Sequence, residues 1–430
     1  MIVKQTSVWT LIALTAAVAA ADEDYLSSAA LHEAGLAKYW QLGLPLEKDQ
    51  HLTNAYRVDD QLYLATQDGY VFAVHARTGV VRWLKQITRS GHRLRRPVHA
   101  GGQTIFVTPT SALQLDRLYG DGLARTDLRF PTGSAPASDG VRFFIGGING
   151  RIYAYALYDQ LQEWKAATSG PIRARPALFN NVLYLASDDG GVYACTAARK
   201  KFIWSSGTLG ANTADLTVDE RGVYVPSQDH SLYLFSHQTG QIRWRARFAG
   251  PLYEAAIVTP ELVYQFCADD GLVAVEAQPL AVEQRIRWKL PRGRALLTVH
   301  EGRAFVLSQD ETLLAVDVKD GGVKHTISAA GFSLPMPSAA DATVYVASPD
   351  GRIFCARPKG APPVSQEEIR RALLPRSETA DTRDATDQPA RAAVRRIPDY
   401  LETRNLGRPI GGKSKVTRQL LEQEKPGGTP

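Results

Sequence analysis

The chain has 430 residues, 44% of them hydrophobic and 22% charged, with a formal net charge of +6. This balance fits a folded, water-facing protein and excludes a disordered or multi-span membrane chain; the basic excess is too small and dispersed for a nucleic-acid surface. The three cysteines, Cys195, Cys267 and Cys355, are odd in number and far apart, which does not fit a disulfide framework. At the N-terminus, Lys4 precedes an apolar run over 8–18, and Ala19, Ala20 and Ala21 lead into Asp22, Glu23 and Asp24. This pattern predicts a secretory signal peptide over 1–21, because the run falls short of the roughly 20 residues a membrane span needs. An uncleaved anchor is the alternative. No cysteine stands there for lipid attachment, and no later segment could cross a bilayer.

After a lead segment at 22–35, the chain repeats itself. Hydrophobic–aromatic–hydrophobic cores centre on Tyr63, Phe106, Phe144, Tyr184, Tyr224, Tyr264, Phe305 and Tyr345, spaced 38 to 43 residues apart. A small residue follows on the next strand at Ala73, Ala154, Ala194, Ala274 and Ala315, with Leu234 and Cys355 in the same slot. Ten residues later come Trp83, Trp164, Trp204 and Trp244; Trp288 follows a short insertion around 278–283, while Thr126 and His325 replace tryptophan in two units. Trp40 holds the slot once more, ahead of the first complete unit. Asp-Gly pairs such as Asp68-Gly69, Asp270-Gly271 and Asp350-Gly351 separate alternating strands, as hairpin turns with positive φ require. In four units a proline, Pro97, Pro136, Pro176 or Pro337, opens the innermost strand, where a missing N–H is tolerated.

Four strands in about 40 residues is the period of a propeller blade. The last hairpin, at 345–356, has no tryptophan strand after it, and the segment 35–44 with Trp40 has no hairpin before it. Joining the two closes an all-β, eight-bladed β-propeller over 36–358 and removes an open sheet edge. Residues 359–430 carry 14 Lys/Arg and 10 Asp/Glu with Tyr400 as their only aromatic, which predicts a flexible, disordered polar tail apart from short helices at 366–374 and 416–423.

The unit AVHARTGVVRW (73–83) resembles the A-x-D-x-x-T-G-x-x-x-W element of PQQ-type (quinoprotein-like) propeller repeats, with His75 in the Asp place. LFSHQTGQIRW (234–244) keeps Thr239, Gly240 and Trp244, and AVDVKDGGVKH (315–325) keeps Asp317 and Gly321. The likeness covers about three quarters of the chain. It implies that Trp40, Trp83, Trp164, Trp204, Trp244 and Trp288 are structural and pack against the neighbouring blade. Among single propellers, size, blade number and export resemble the BamB-like propellers of outer-membrane assembly, from which the chain departs in its long tail and missing lipidation cysteine. Quinone-dependent dehydrogenases share these repeats, but the resemblance also implies adjacent cysteines beside the quinone, and here no two cysteines are adjacent.

Other residues invite chemistry and have simpler readings. Cys355 takes an Ala slot, Cys195 stands beside Ala194, and Cys267 takes a Ser/Thr slot, so all three read as buried packing thiols. Asp188, Asp189, Asp269 and Asp270 read as turn formers rather than Ca²⁺ ligands. No metal and no cofactor is expected. Counting nine residues back from the aromatics reaches the channel side of the inner strands, where Arg96 and Arg175 match, with Arg93, Arg95, Arg173 and Arg294 nearby. This predicts a basic mouth on one face, able to hold a carboxylate or an acidic peptide, against the plainer reading of solvated loop charge. The expected function is an exported, non-enzymatic protein-binding or scaffolding propeller of the periplasm or cell envelope, a monomer or a subunit of a complex with a protein or peptide partner. The alternative is a PQQ-dependent dehydrogenase-like enzyme.

Overall fold

A computed structural model describes residues 24–278, 286–339 and 341–373. The expected signal segment, the helix expected at 416–423 and the tail from 374 onward lie outside the described residues. Among the described residues, no helix is long and apolar enough to cross a membrane.

Alternating apolar strands separated by Gly-containing turns produce eight four-stranded antiparallel sheets. Numbered as blades, they span 52–86, 98–127, 137–167, 177–207, 217–247, 257–290 and 293–328, while blade 8 combines 334–358 with the N-terminal strand Leu36–Gly43. That N-terminal strand pairs antiparallel with Arg352–Pro358, Leu36 opposite Pro358 and Trp40 opposite Cys355. The inner strand of blade 8, Leu334–Pro335, touches the inner strand of blade 1, Leu52–Val58, so the ring is closed.

The repeated residues have repeated partners. Tyr63 lies opposite Ala73, and Ala73 opposite Trp83. The same ladder runs through Ala154 and Trp164, Ala194 and Trp204, Leu234 and Trp244, and Ala274 and Trp288. A bulge before each tryptophan turns the outer strand and brings the indole across to the next blade. Trp204 Nε1 donates to His237 O at 2.8 Å, and Trp40, Trp83, Trp164 and Trp288 donate to Ala76, Arg117, Ala197 and Val318 carbonyls. Trp244 is fully buried, and its Nε1 has no partner among the described residues.

The turn glycine completes the contact. At Gly240 (φ +69°), a Cβ would stand 2.5 Å from the Trp204 ring, and at Gly79 (φ +71°) 2.8 Å from Trp40. The Thr-Gly element is therefore a seat for the previous blade's indole as well as a turn. The hydrophobic core is correspondingly divided into layers between blades, as where Tyr63 and Trp83 of blade 1 meet Phe106 of blade 2.

Blade 2 corrects the register expected there. Ile105, not Phe106, lies opposite Gln114, and Gln114 lies opposite Ala124 ahead of the bulge, so Ala124 rather than Thr126 fills the tryptophan slot. Strand alternation then turns Phe106 toward blade 1, with its ring 5.4 Å from Tyr63 and 6.2 Å from Trp83.

Among the described residues, two helices flank the ring. Ser28–Glu33, unforeseen in the lead segment, is capped by Ser27 and buries Leu31 beside Phe332 and Val344. Gln366–Leu373 lies where a tail helix was expected, but it is held to blade 1 by an Arg77–Glu368 ion pair at 2.7 Å. Just before it, Pro362 O accepts from Tyr39 Oη at 3.0 Å. The first part of the expected free tail is thus attached to the propeller.

Candidate functional site

The connections from each outer strand to the next inner strand share a face with the second hairpin turn of each blade: Ile87 N donates to Gly69 O, Thr168 N to Gly150 O and Thr208 N to Gly190 O. Arg93, Arg95 and Arg96 lie on the connection entering blade 2, and Arg173 and Arg175 on the one entering blade 4. Arg96 and Arg175 each stand two residues before an inner strand, at Val98 and Ala177, and Asp215 holds the same place before Thr217. This spacing delivers their side chains to one end of a central cavity of about 710 Å³, walled by inner-strand residues such as Ala55, Ala137, Leu178, Val218 and Ile257.

The six candidate arginines do not form one patch. Arg294 lines the cavity, but its guanidinium is clamped bidentately by Glu254, at 2.7 and 2.5 Å, and lies 4.2 Å from the Phe266 ring centroid. Arg173 is paired with Asp188, and Arg93 Nε faces Asn54 Oδ1 at 3.3 Å. These contacts take Arg294 and Arg173 out of an open basic mouth. Arg57, which no sequence signal marked, is also neutralised: Asp341 grips it at 2.8 and 3.3 Å across the seam between blades 8 and 1.

Arg95, Arg96 and Arg175 remain; Arg96, Arg175 and Asp215 line the cavity, and the Asp215 charge acts on all three guanidiniums. Asp215 Oδ1 already accepts the Arg175 backbone N–H at 2.9 Å. Arg96 Nη2 donates to Arg57 O at 2.6 Å, while Arg175 Nε is buried without a hydrogen-bond partner among the described residues. Burial, then repulsion from Arg175, pushes the Arg96 guanidinium down to about 10, so it stays charged at neutral pH. Burial lowers Arg95 and Arg175 as well, and Asp215 partly offsets it. Two poorly solvated guanidiniums at a cavity mouth, Arg96 and Arg175, have the chemistry to hold a carboxylate, since a planar fork can donate two hydrogen bonds to it.

Elsewhere the structure gives the other candidates structural partners. All three cysteines are free and buried; burial pushes the Cys195 thiol up to about 12 and raises Cys355 as well. Asp189 accepts from Ser187 Oγ in its own turn, and Asp270 accepts from Lys289 Nζ at 2.6 Å and Ala249 N at 2.8 Å.

Eight blades, the ladder of small residue and tryptophan, and the glycine seat define a PQQ-type repeat propeller. A protein-family model described as outer membrane protein assembly factor BamB matches residues 110–208 and 201–396, and the chain belongs to this family. The outer membrane protein assembly factor BamB of Yersinia pestis is 24% identical over 201 residues, covering 43% of this chain and 50% of that protein. A tetrathionate hydrolase of Acidithiobacillus ferrooxidans is 25% identical over 224 residues, covering 51% of this chain and 41% of that protein. The chain therefore spans half or less of the length of these curated relatives. Among solved structures, the computationally designed Ika8 protein superposes with a TM-score of 0.59 at 14% identity, over 73% of this chain and 98% of that one, a likeness of fold.

Proposed function

We propose that this propeller is a non-enzymatic binding subunit of the cell envelope, exported to the periplasm, that serves outer-membrane protein assembly by holding a protein partner at the basic mouth. The observation that carries this reading is Arg96 and Arg175 lining the cavity mouth with one carboxylate, Asp215, and Arg175 Nε buried without a partner among the described residues. An acidic side chain from a partner would supply the missing acceptor. The family and the BamB of Yersinia pestis, by their names, support the assembly role. The test is affinity capture from the native envelope with wild type and the Arg96→Ala/Arg175→Ala double variant. Losing charge-assisted bonds of this kind is expected to weaken capture about 10- to 100-fold. Unchanged capture would remove the mouth from the function.

The likeness to a tetrathionate hydrolase favours a second, catalytic reading over about half of the chain. The buried, separated cysteines give it no reactive thiol. Assays of the purified protein with tetrathionate, and with added quinone, Ca²⁺ and a redox dye, decide the matter; sustained turnover in either would replace the binding reading.

A further inference from the structure

Among the described residues, each blade leaves the far edge of its outermost strand without a sheet partner, and such edges attract other strands unless charge, a bulge or a cover protects them. In five blades the bulged residue ahead of the tryptophan slot is itself charged: Arg82, Glu163, Arg243, Arg287 and Lys324. Blade 2 carries Arg125 and Asp127 later in its outer strand Gly122–Asp127. Blade 8 has Tyr39 at the bulge, bonded to Pro362 O, beside a Lys38–Asp24 ion pair.

Blade 4 departs from all of these. Its outer strand Phe202–Gly207 reads FIWSSG, with no charged residue and no proline. The bulged residue is Ile203, 45% exposed, and Phe202 beside it is 38% exposed. The Phe202 ring is steadied by Tyr193, 5.8 Å away, rather than covered. Immediately before this strand, Arg199, Lys200 and Lys201 are all exposed. An unguarded edge with two apolar side chains and three cations at one end is complementary to an extended segment that is apolar along its length and acidic where it meets those cations.

We infer that the outer edge of blade 4 is a docking site at which a partner protein adds an extended, acid-ended segment as a fifth strand. The inference rests on the protein-binding reading but not on the basic mouth, which opens on the cavity rather than the rim. Main-chain hydrogen bonds would supply affinity, and Ile203, Phe202 and the cations would select the segment.

The test uses the full chain and a short fluorescein-labelled peptide of alternating valine and threonine with three glutamates at one end. Binding is read by anisotropy and by amide hydrogen exchange. Expected are slowed exchange within 202–207, weaker binding by at least ~10-fold in Ile203→Lys, and weaker binding at raised salt. Ile203→Lys should fold, because Lys324 occupies the same bulge in blade 7. A Lys200→Glu/Lys201→Glu variant is expected to prefer a peptide ending in lysines. Equal binding of a proline-interrupted peptide, or equal binding by Ile203→Lys, would overturn the inference. So would self-association without peptide that Ile203→Lys abolishes, since the edge would then belong to a second copy. Protection at 93–96 and 173–175 instead of 202–207 would sink the edge site while leaving the protein-binding reading intact; binding by Arg96→Ala/Arg175→Ala is expected to equal wild type, since the mouth is no part of this site.

Discussion

Between blades 1 and 2, His99 Nδ1 meets Asp59 Oδ2 at 2.7 Å, and its Nε2 meets Tyr63 Oη at 2.8 Å. Tyr63 Oη in turn meets Thr104 Oγ1 at 2.8 Å, so the chain of polar groups is satisfied with a neutral imidazole donating from Nδ1 and accepting at Nε2. Burial lowers the His99 pKa, and Asp59 only partly offsets it. A folded pKa below the unfolded value of ~6.5 means the unfolded chain takes up the proton first as pH falls. The stabilisation is fully present above ~6.5 and lost as pH falls through the folded value. Urea midpoints measured near neutrality and near pH ~5 are expected to differ less in His99→Gln than in wild type; His75, also lowered by burial, leaves a residual slope. Nothing in the sequence marked His99, because its partners, Asp59 in a turn and Tyr63 on a strand, come from the neighbouring blade.

At the scale of the hairpin, the Thr-Gly turn and the indole act as one device joining consecutive blades. Gly240→Ala would set a methyl 2.5 Å from the Trp204 ring in a backbone conformation at φ +69°. The strain and the displaced indole are expected to cost about 1–3 kcal/mol, read as a lower urea midpoint at an unchanged m-value. Trp204→Ala, which empties the same seat, is expected to cost about 3–5 kcal/mol. This device was legible beforehand, since tryptophan, small residue and glycine recur at fixed offsets. The absence of tryptophan from blade 2 was legible as well, but the strand register there was not. The spacing of aromatics there tolerates a one-residue slip, and only the pairing of Ile105 with Gln114 shows which face Phe106 takes.

At the scale of the whole ring, blade 8 is built from both ends of the propeller. Across that seam, Arg57 binds Asp341, and Tyr345 Oη and Trp40 Nε1 both donate to Ala76 O at 3.1 Å. Deleting 24–43 removes the outer strand of blade 8 and exposes Phe354 and Cys355, which are fully buried in the intact protein. The truncated chain is expected to aggregate or to unfold at much lower urea than the intact chain, measured by size-exclusion chromatography and urea titration. Coincident midpoints for the two chains would show that closure adds little.

Repetition by itself determined the fold: a blade is a local structure, so its strands, turns and indole seats are written within one 40-residue period. The charges at the cavity mouth behave differently. Arg173, Arg175 and Arg294 look alike along the chain, yet Asp188 and Glu254 neutralise two of them and leave the third buried with an unsatisfied Nε. Which guanidinium is left with an open donor depends on carboxylates brought up by other loops and by the neighbouring blade. Coulomb interactions follow distance in space rather than position in the chain, so only the closed ring decided it.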